Sequence, residues 1–430
     1  MSQHQNRSLN KQDYKTLFLA SLGGALEFYD FIIFVFFAIV LGELFFPADI
    51  PEWLRQLQTF GIFAAGYLAR PLGGIIMAHF GDLIGRKKMF SLSILLMALP
   101  TLSIGLLPIY DTIGITAPLL LLLMRIMQGA AIGGEVPGAW VFVAEHVPHK
   151  YIGFACGMLT AGLTLGILLG SLIATAITSV YTKQEVLDWA WRIPFFLGGI
   201  FGLFAMYLRR WLHETPIFKE MQARKALAEE LPLKSVILNH KRAITVSMLL
   251  TWLLSAGIVV VILMTPSYMQ TVFHLEPSMT LKANSLAIIV LFIGCILAGH
   301  LCDKWGASKV LLAGSLLLAA TTWFFYHNIS DEPIRLFSAY AMAGFSVGVA
   351  GAVPFVMVQS YPPEIRFSGI SFSYNLAYAI FGGLTPIVIT LLMKYTSLAP
   401  AYYMLMLSVI GIFLALYLDK RTVLDSKTKH

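Results

Sequence analysis

The chain holds 430 residues, of which 58% are hydrophobic and only 12% charged, with a formal net charge of +7. A soluble domain is about half apolar and about a quarter charged, so this composition excludes a water-soluble globular protein: the missing charge has been replaced by surface that water would not tolerate. Three cysteines, Cys156, Cys295 and Cys302, are too few and too scattered for a disulfide framework or a metal site.

Apolar runs of about 20 residues, each long enough to cross a hydrocarbon core of about 30 Å, recur along nearly the whole length. In chain order they predict spans at 16–44, 56–79, 89–109, 115–144, 152–180 and 190–212, then at 243–270, 283–301, 309–328, 334–360, 368–395 and 399–418. The first run is too long for the core of a cleaved signal peptide and reads as an uncleaved first span. The expected fold is an all-α membrane protein. It comprises a cytoplasmic segment 1–15, a six-helix bundle 16–212, a partly helical linker 213–242 (HETPIFKEMQARKALAEELPLKSVILNHKR), a second six-helix bundle 243–418 and a tail 419–430.

Lysine and arginine set the orientation. With both termini in the cytoplasm, the inner segments carry Arg7, Lys11, Lys15, Arg86, Lys87, Lys88, Lys150, the cluster from Arg209 to Arg242, Lys304, Lys309 and Arg366, whereas the outer loops carry Arg55, Lys183, Lys282, Arg335 and Lys394. Cytoplasmic loops are expected to hold this excess. The basic balance is therefore a topology signal and gives no support for a nucleic-acid partner. It points to the inner membrane of a cell, with the lipid bilayer as the chain's surroundings and a monomer as the expected state.

The two halves resemble each other. HFGDLIGRKK after the second span pairs with GHLCDKWGASK after the eighth, which sets Asp82 and Asp303 221 residues apart. GGEVP in the fourth span pairs with AGAVP in the tenth, with Pro137 and Pro354 separated by 217. Two unrelated features offset by nearly the same distance imply a duplicated six-span unit. Repeats of this kind build transporter folds, whose site lies near mid-membrane between the halves.

Charges inside spans are costly and face a wet path or a partner. Glu135 follows two glycines and precedes Pro137, a scaffold that permits a helix irregularity, and it aligns with Ala352 of the second copy. Glu27 and Asp30 are three apart on one face of the first span. Arg70, Arg125 and Arg192 lie in RPLGG, RIMQG and WRIPF. A carboxyl in an apolar cavity is pushed towards its neutral form by desolvation and back by a nearby arginine. Glu27, Asp30, Glu135 and Arg125 are therefore the candidates for proton coupling. Arg125 with Glu27 or Asp30 also suits a static pair, and Arg192, beside Trp189 and Trp191, suits a snorkelling interfacial cation. Glu145, His146, His79 and His300 lie near span ends and read as solvated or structural, and the aromatic residues read mostly as a lipid-facing and interfacial belt.

Arg70 and Arg192 suit a carboxylate. Trp252, Tyr268, Gln359, Tyr374, Asn375 and Tyr378 are the polar and aromatic groups of the second-half spans, and the aromatic ones suit a quaternary ammonium. Together these eight are the candidate substrate ligands. In the inner loop GDLIGRKK, Asp82 can face a helix N-terminus, where partial positive charge favours an anion, and Gly81 and Gly85 permit a tight turn. Arg86 to Lys88 can pair across to the other half, so that Asp82, Gly85, Arg86 and the repeat's Asp303 form a candidate gate.

At these residues the sequence resembles the major facilitator superfamily, and within it the metabolite:proton symporter family of proline/betaine, ketoglutarate, citrate and shikimate permeases. GALEFYDF, RPLGG, GDLIGRKK, RIMQG, GGE, WRIPFFLGG, HETPIF, GLTP and PAYYMLMLSVIG fall in that family's order. The resemblance implies twelve transmembrane helices in two pseudo-symmetric six-helix bundles rocking around a central cavity. It also implies uptake of a small molecule with protons, without a cofactor. Asp82, Gly85 and Arg86 match the superfamily's gating motif, Arg125 and Gly129 its proton-coupling motif, and Glu27, Asp30, Arg70, Glu135 and Arg192 the symporter family's charged positions. Ala78 and Leu83 depart from the gating pattern. The fifth span, GLTLGILLG, lacks the Gly-Pro pair of drug:proton antiporters, which favours symport over export. The chain ends soon after the last span, so osmotic regulation by a long coiled-coil tail is not expected. An enzyme is not expected either, since no G-x-S-x-G, HExxH or Walker pattern is present, and the linker is too small for a sensor's output domain.

Overall fold

A long apolar run is satisfied in lipid as helix, because each backbone N–H and C=O then finds its partner within the segment. The computed structural model describes residues 7–84, 86–208, 232–362 and 365–427, and every span expected from the sequence is helical there. The first bundle holds spans one to three at Lys11–Phe36 (continued by Ala38–Phe45), Glu52–Ile84 and Arg86–Leu106, and spans four to six at Thr116–His146, Ile152–Val180 and Ile193–Leu208. The second holds Lys241–Val272, Pro277–Trp305, Ala307–His327, Pro333–Ser360, Arg366–Leu392 and Ala399–Lys427. Eleven of these are long and apolar enough to cross a membrane over the described residues, and the third span contributes the apolar stretch Leu95–Leu106. Within the linker the described helix is Pro232–Asn239.

Four spans are irregular just before a proline, which cannot donate to the carbonyl four residues back; the first is interrupted as well, at Phe37, with no proline beside it. The fourth breaks at Gly133–Gly134 before Pro137, and the tenth tightens to a 3-10 turn at Gly348–Ala352 before Pro354. These two were expected from the Gly-Pro scaffold. The seventh and eleventh hold π segments, Gly257–Met264 before Pro266 and Tyr378–Gly382 before Pro386, which sequence reading missed although the prolines mark them. Hydroxyls serve carbonyls of the seventh-span π segment: Thr265 Oγ1 donates to Val260 O at 2.9 Å and Tyr340 OH to Val261 O at 2.6 Å.

That use of hydroxyls corrects the expectation for the aromatic residues. Trp140, Trp191, Tyr29, Tyr67, Tyr326, Tyr340, Tyr361, Tyr374 and Tyr378 are all fully buried rather than lipid-facing. A buried tyrosine fills space between helices and carries a donor to a partner that lipid does not offer; Tyr29 OH donates to Pro194 O at 2.8 Å.

The packing pairs repeat between halves. The first span packs on the fifth, the second on the fourth and the third on the sixth; the seventh packs on the eleventh, the eighth on the tenth and the ninth on the twelfth. The halves meet along two matching seams, fifth against eighth and second against eleventh. Within the first bundle the second and fourth spans touch backbone to backbone. A Cβ on Gly129 would lie 1.7 Å from Gly66 O, and one on Gly73 would lie 1.9 Å from Ala130 O. Small residues at such crossings are what allow membrane helices to pack closely without a hydrophobic driving force. Gly129→Val is therefore expected to force these spans apart at a cost of about 3 kcal/mol, read as a lower melting temperature and a reduced monodisperse yield in detergent. An unchanged melting temperature would contradict the backbone contact.

Candidate functional site

The second span is fixed to the fourth by glycine contacts, so its side chains at mid-length are carried rigidly into the seam with the eleventh. Arg70 occupies that place with no solvent exposure. Its guanidinium carbon sits 4.3 Å from the ring centre of Tyr378, 5.2 Å from Tyr374 and 5.5 Å from Tyr67. The rings support one another: Tyr374 and Tyr378 are 4.7 Å apart, Tyr67 and Tyr378 5.3 Å, and Trp140 of the fourth span meets Tyr374 edge-on at 4.9 Å. Ring faces attract a desolvated cation by about 2 kcal/mol, but they leave its N–H groups unmet. Nε and both terminal nitrogens of Arg70 have no hydrogen-bond partner among the described residues. A buried donor without an acceptor is costly, and a guanidinium's planar fork matches a carboxylate. The cage is thus shaped for an anion that supplies the missing acceptors.

Of the expected ligands, Arg70, Tyr374 and Tyr378 share this cage; Tyr67 and Trp140 complete it and were missed. Asn375 is adjacent, but its amide Nδ2 donates to Gly133 O in the other half. The structure does not bring the remaining four to the cage. Arg192 donates to Gly105 O at 2.7 Å and Leu107 O at 2.9 Å, capping the carbonyl end of the third span, a position cations favour. Trp252 stacks on Phe381 at 4.1 Å and donates to Tyr403 OH at 2.8 Å. Tyr268 OH donates to Ser397 O at 2.6 Å. Gln359 is exposed at the end of the tenth span.

The candidate proton-coupling residues Glu27, Asp30, Arg125 and Glu135 are all buried, at 3%, 1%, 0% and 5% exposure. They do not form the expected arginine-centred cluster. Arg125 NH1 donates to Phe31 O at 2.9 Å and Gln128 Oε1 at 2.8 Å, and its guanidinium lies over Phe31, Phe34 and Phe63 at 4.2, 4.6 and 5.3 Å. The carboxyl of Asp30 points the other way, between the first, third and sixth spans. A Cβ on Gly198 would come within 2.5 Å of Asp30 Oδ1 and 2.6 Å of Thr101 Cγ2. Both Asp30 oxygens lack a hydrogen-bond partner among the described residues. Gln128 joins the two sites, donating from Nε2 to Asp30 O at 3.3 Å and to Thr101 Oγ1 at 2.7 Å. Glu135 opens the lower half of the fourth span, just after the break.

Contacts cross between the halves at both ends. At the end bearing the termini, Asp303 of the eighth span accepts from the N–H groups of Gly153 and Phe154 at 2.7 and 2.8 Å. These are donors that the start of the fifth span leaves without an intrahelical partner. Arg366 approaches Glu145 at 3.9 Å, so Glu145 spans the halves and is not merely solvated. At the far end, Ser179 and Ser278 hydroxyls are 2.9 Å apart and Lys394 Nζ sits 3.4 Å from the ring centre of Trp53. Of the other expected gating residues, Gly85 and the side chains of Asp82 and Arg86 lie outside the described residues, as does the side chain of His79. No group of three or more His, Cys, Asp or Glu is placed to hold a metal among the described residues.

Comparison with known proteins agrees with this architecture. The sequence model of the Major Facilitator Superfamily matches residues 32–386. The proline/betaine transporter of Salmonella typhimurium is 32% identical over 414 residues, covering 93% of this chain and 82% of that one. The citrate-proton symporter of Klebsiella pneumoniae is 31% identical over 411 residues, covering 94% and 92%. In three dimensions the chain is similar to the proton:xylose symporter XylE bound to 6-bromo-6-deoxy-D-glucose, with a TM-score of 0.76 over 95% of each chain at 17% identity, a likeness of fold. A duplicated six-span bundle, two matching seams and a buried cation between them, matched along most of the chain by that family, make this protein a multi-pass membrane transporter of the major facilitator superfamily.

Proposed function

We propose that the protein is a proton-coupled symporter that imports a small carboxylate, either an organic acid or a zwitterionic amino acid or osmolyte, by alternating access. The observation that carries this reading is the Arg70 guanidinium, buried at the seam in a cage of three tyrosines with its donors unmet among the described residues. Proline, betaine and citrate, the cargoes named for the relatives, share a carboxylate that would fill that fork. The tyrosine faces would then be released to hold a quaternary ammonium or an apolar stem. The bundles 16–212 and 243–418 are the moving bodies, joined by 213–242. The Asp303 and Glu145–Arg366 contacts gate the end bearing the termini, which the excess of lysine and arginine assigns to the cytoplasmic face of the inner membrane; Asp82, Gly85 and Arg86 are assigned to this gate by the sequence motif alone. The proton is carried within the group Glu27, Asp30 and Glu135, while Arg125 stands apart, held by Phe31 O and Gln128, and the chain works as a monomer without a cofactor.

Two measurements test this. In proteoliposomes with an imposed inward proton gradient, at least one of proline, betaine and citrate is expected to enter faster than without the gradient, while D-xylose is not. Entry of none of the three, or of xylose alone, would contradict the assignment. For one proton per cargo, accumulation approaches about tenfold per pH unit. Glu135→Gln is expected to bring that ratio towards unity while leaving exchange of labelled for unlabelled cargo in place. Retained accumulation would remove Glu135 from the proton path.

A further inference from the structure

Pro137 has no N–H, so the carbonyl of Gly133 four residues earlier loses its helical donor. The fourth span breaks at this point. The missing donor comes from the other half of the molecule, where Nδ2 of Asn375 on the eleventh span donates to Gly133 O. Asn375 is 1% exposed, and its amide orientation follows from that partner, because the reversed amide would set oxygen against oxygen. Gly74 makes the meeting possible: a Cβ there would lie 2.9 Å from Asn375 Nδ2 and 3.1 Å from Gly133 O. The second copy differs. The carbonyl orphaned by Pro354 is Ala350 O, and it accepts from Val353 N–H inside its own 3-10 turn. One half therefore closes its proline break internally, and the other borrows a donor across the seam.

We propose that Asn375 is a positioning residue, a latch that holds the eleventh span against the broken fourth span and keeps the termini-bearing side of the seam closed, rather than a ligand for cargo. The link lies beside the Arg70 cage, with Asn375 next to Tyr374 on the eleventh span and Gly74 one turn beyond Arg70 towards the termini-bearing end, so the halves cannot part on that side without releasing it. Release leaves the Gly133 carbonyl without its donor, a cost comparable to an unmade buried hydrogen bond. The broken span also carries Glu135, so the latch ties the separation of the halves to the helix that bears a candidate proton carrier.

The test is a distance measurement between spin labels on Lys150→Cys and Gln359→Cys, both exposed at the termini-bearing end in opposite halves. The full chain is used, with Cys156, Cys295 and Cys302 changed to Ala and no cargo present. The readout needs no cargo and so stands or falls apart from the symport assignment. Asn375→Ala is expected to shift the ratio of long to short distances about tenfold towards long. Gly74→Ala, whose methyl enters the latch, is expected to shift it in the same direction and serves if Asn375→Ala does not fold. On a Pro137→Ala background, where an N–H is restored to the Gly133 carbonyl, Asn375→Ala is expected to add less than a twofold change (roughly the additivity limit for independent sites). An unchanged distribution in Asn375→Ala or its Gly74→Ala substitute, or an equal shift with and without Pro137, would overturn the latch.

Discussion

A guanidinium buried in a membrane-spanning bundle has to be compensated, and the way Arg70 is compensated organises the rest of the site. Three tyrosine faces balance its charge, two of them on the opposite half of the molecule, yet none supplies an acceptor. The cation is therefore a bond between the bundles that remains incomplete. A carboxylate would complete it with strong, charge-assisted hydrogen bonds and would weaken its hold on the tyrosines. On the proposed reading, binding and the separation of the halves would thereby be linked through one side chain. A ligand shifts a conformational equilibrium only by its differential affinity for the two states, and on the proposed reading a cage built from both halves would provide that difference.

Prolines extend the same logic along the helices. Where one interrupts a span it frees a backbone carbonyl that lipid cannot satisfy, and partners are found at three of the four irregular segments that precede a proline. The hydroxyls of Thr265 and Tyr340 serve carbonyls in the seventh span, an inner turn serves Ala350 in the tenth, and Asn375 serves Gly133 from across the seam. Irregular backbone is tolerated in a membrane where protein or a wet cavity surrounds it. Here the irregular segments sit in the spans that meet at or beside the seam, and their polar bonds are among those that must rearrange if the halves rock. The end contacts are modest by comparison: a carboxylate on helix N–H groups, a loose ion pair, a hydroxyl pair and a cation over an indole. Closures of that size can be exchanged at little cost, as a carrier that faces two solutions in turn requires.

Much of the architecture was legible in the sequence because apolar length and the offset of matched motifs are one-dimensional signals. Asp303 and Pro354 stand in the second copy where the repeat puts them, and Asp303 meets the N-terminus of the fifth span, a contact of the kind expected of Asp82. Arg70 was legible as a costly charge, and Tyr374 and Tyr378 as aromatic groups suited to a cation in the cargo, but not as the surroundings of Arg70 itself. Tyr67, three residues before Arg70 on the same helical face, was within reach of the same reasoning. The prolines at 266 and 386 likewise announced the π segments. What could not be read is which way a side chain turns once helices pack. Arg125 and Asp30 carry opposite charges in neighbouring spans, yet one faces three phenylalanines and the other a glycine of the sixth span. Arg192 has the chemistry of a ligand and the position of a helix cap, and only the approach of the third span decides between them.

Equilibrium binding to the purified protein, compared between wild type and Arg70→Gln, addresses the incomplete cage most directly. At least one of proline, betaine and citrate is expected to bind the wild type saturably, and its affinity is expected to fall by about 10- to 100-fold in the variant, the worth of a charge-assisted hydrogen-bonded pair. A carboxylate that binds Arg70→Gln as tightly as the wild type would contradict the account.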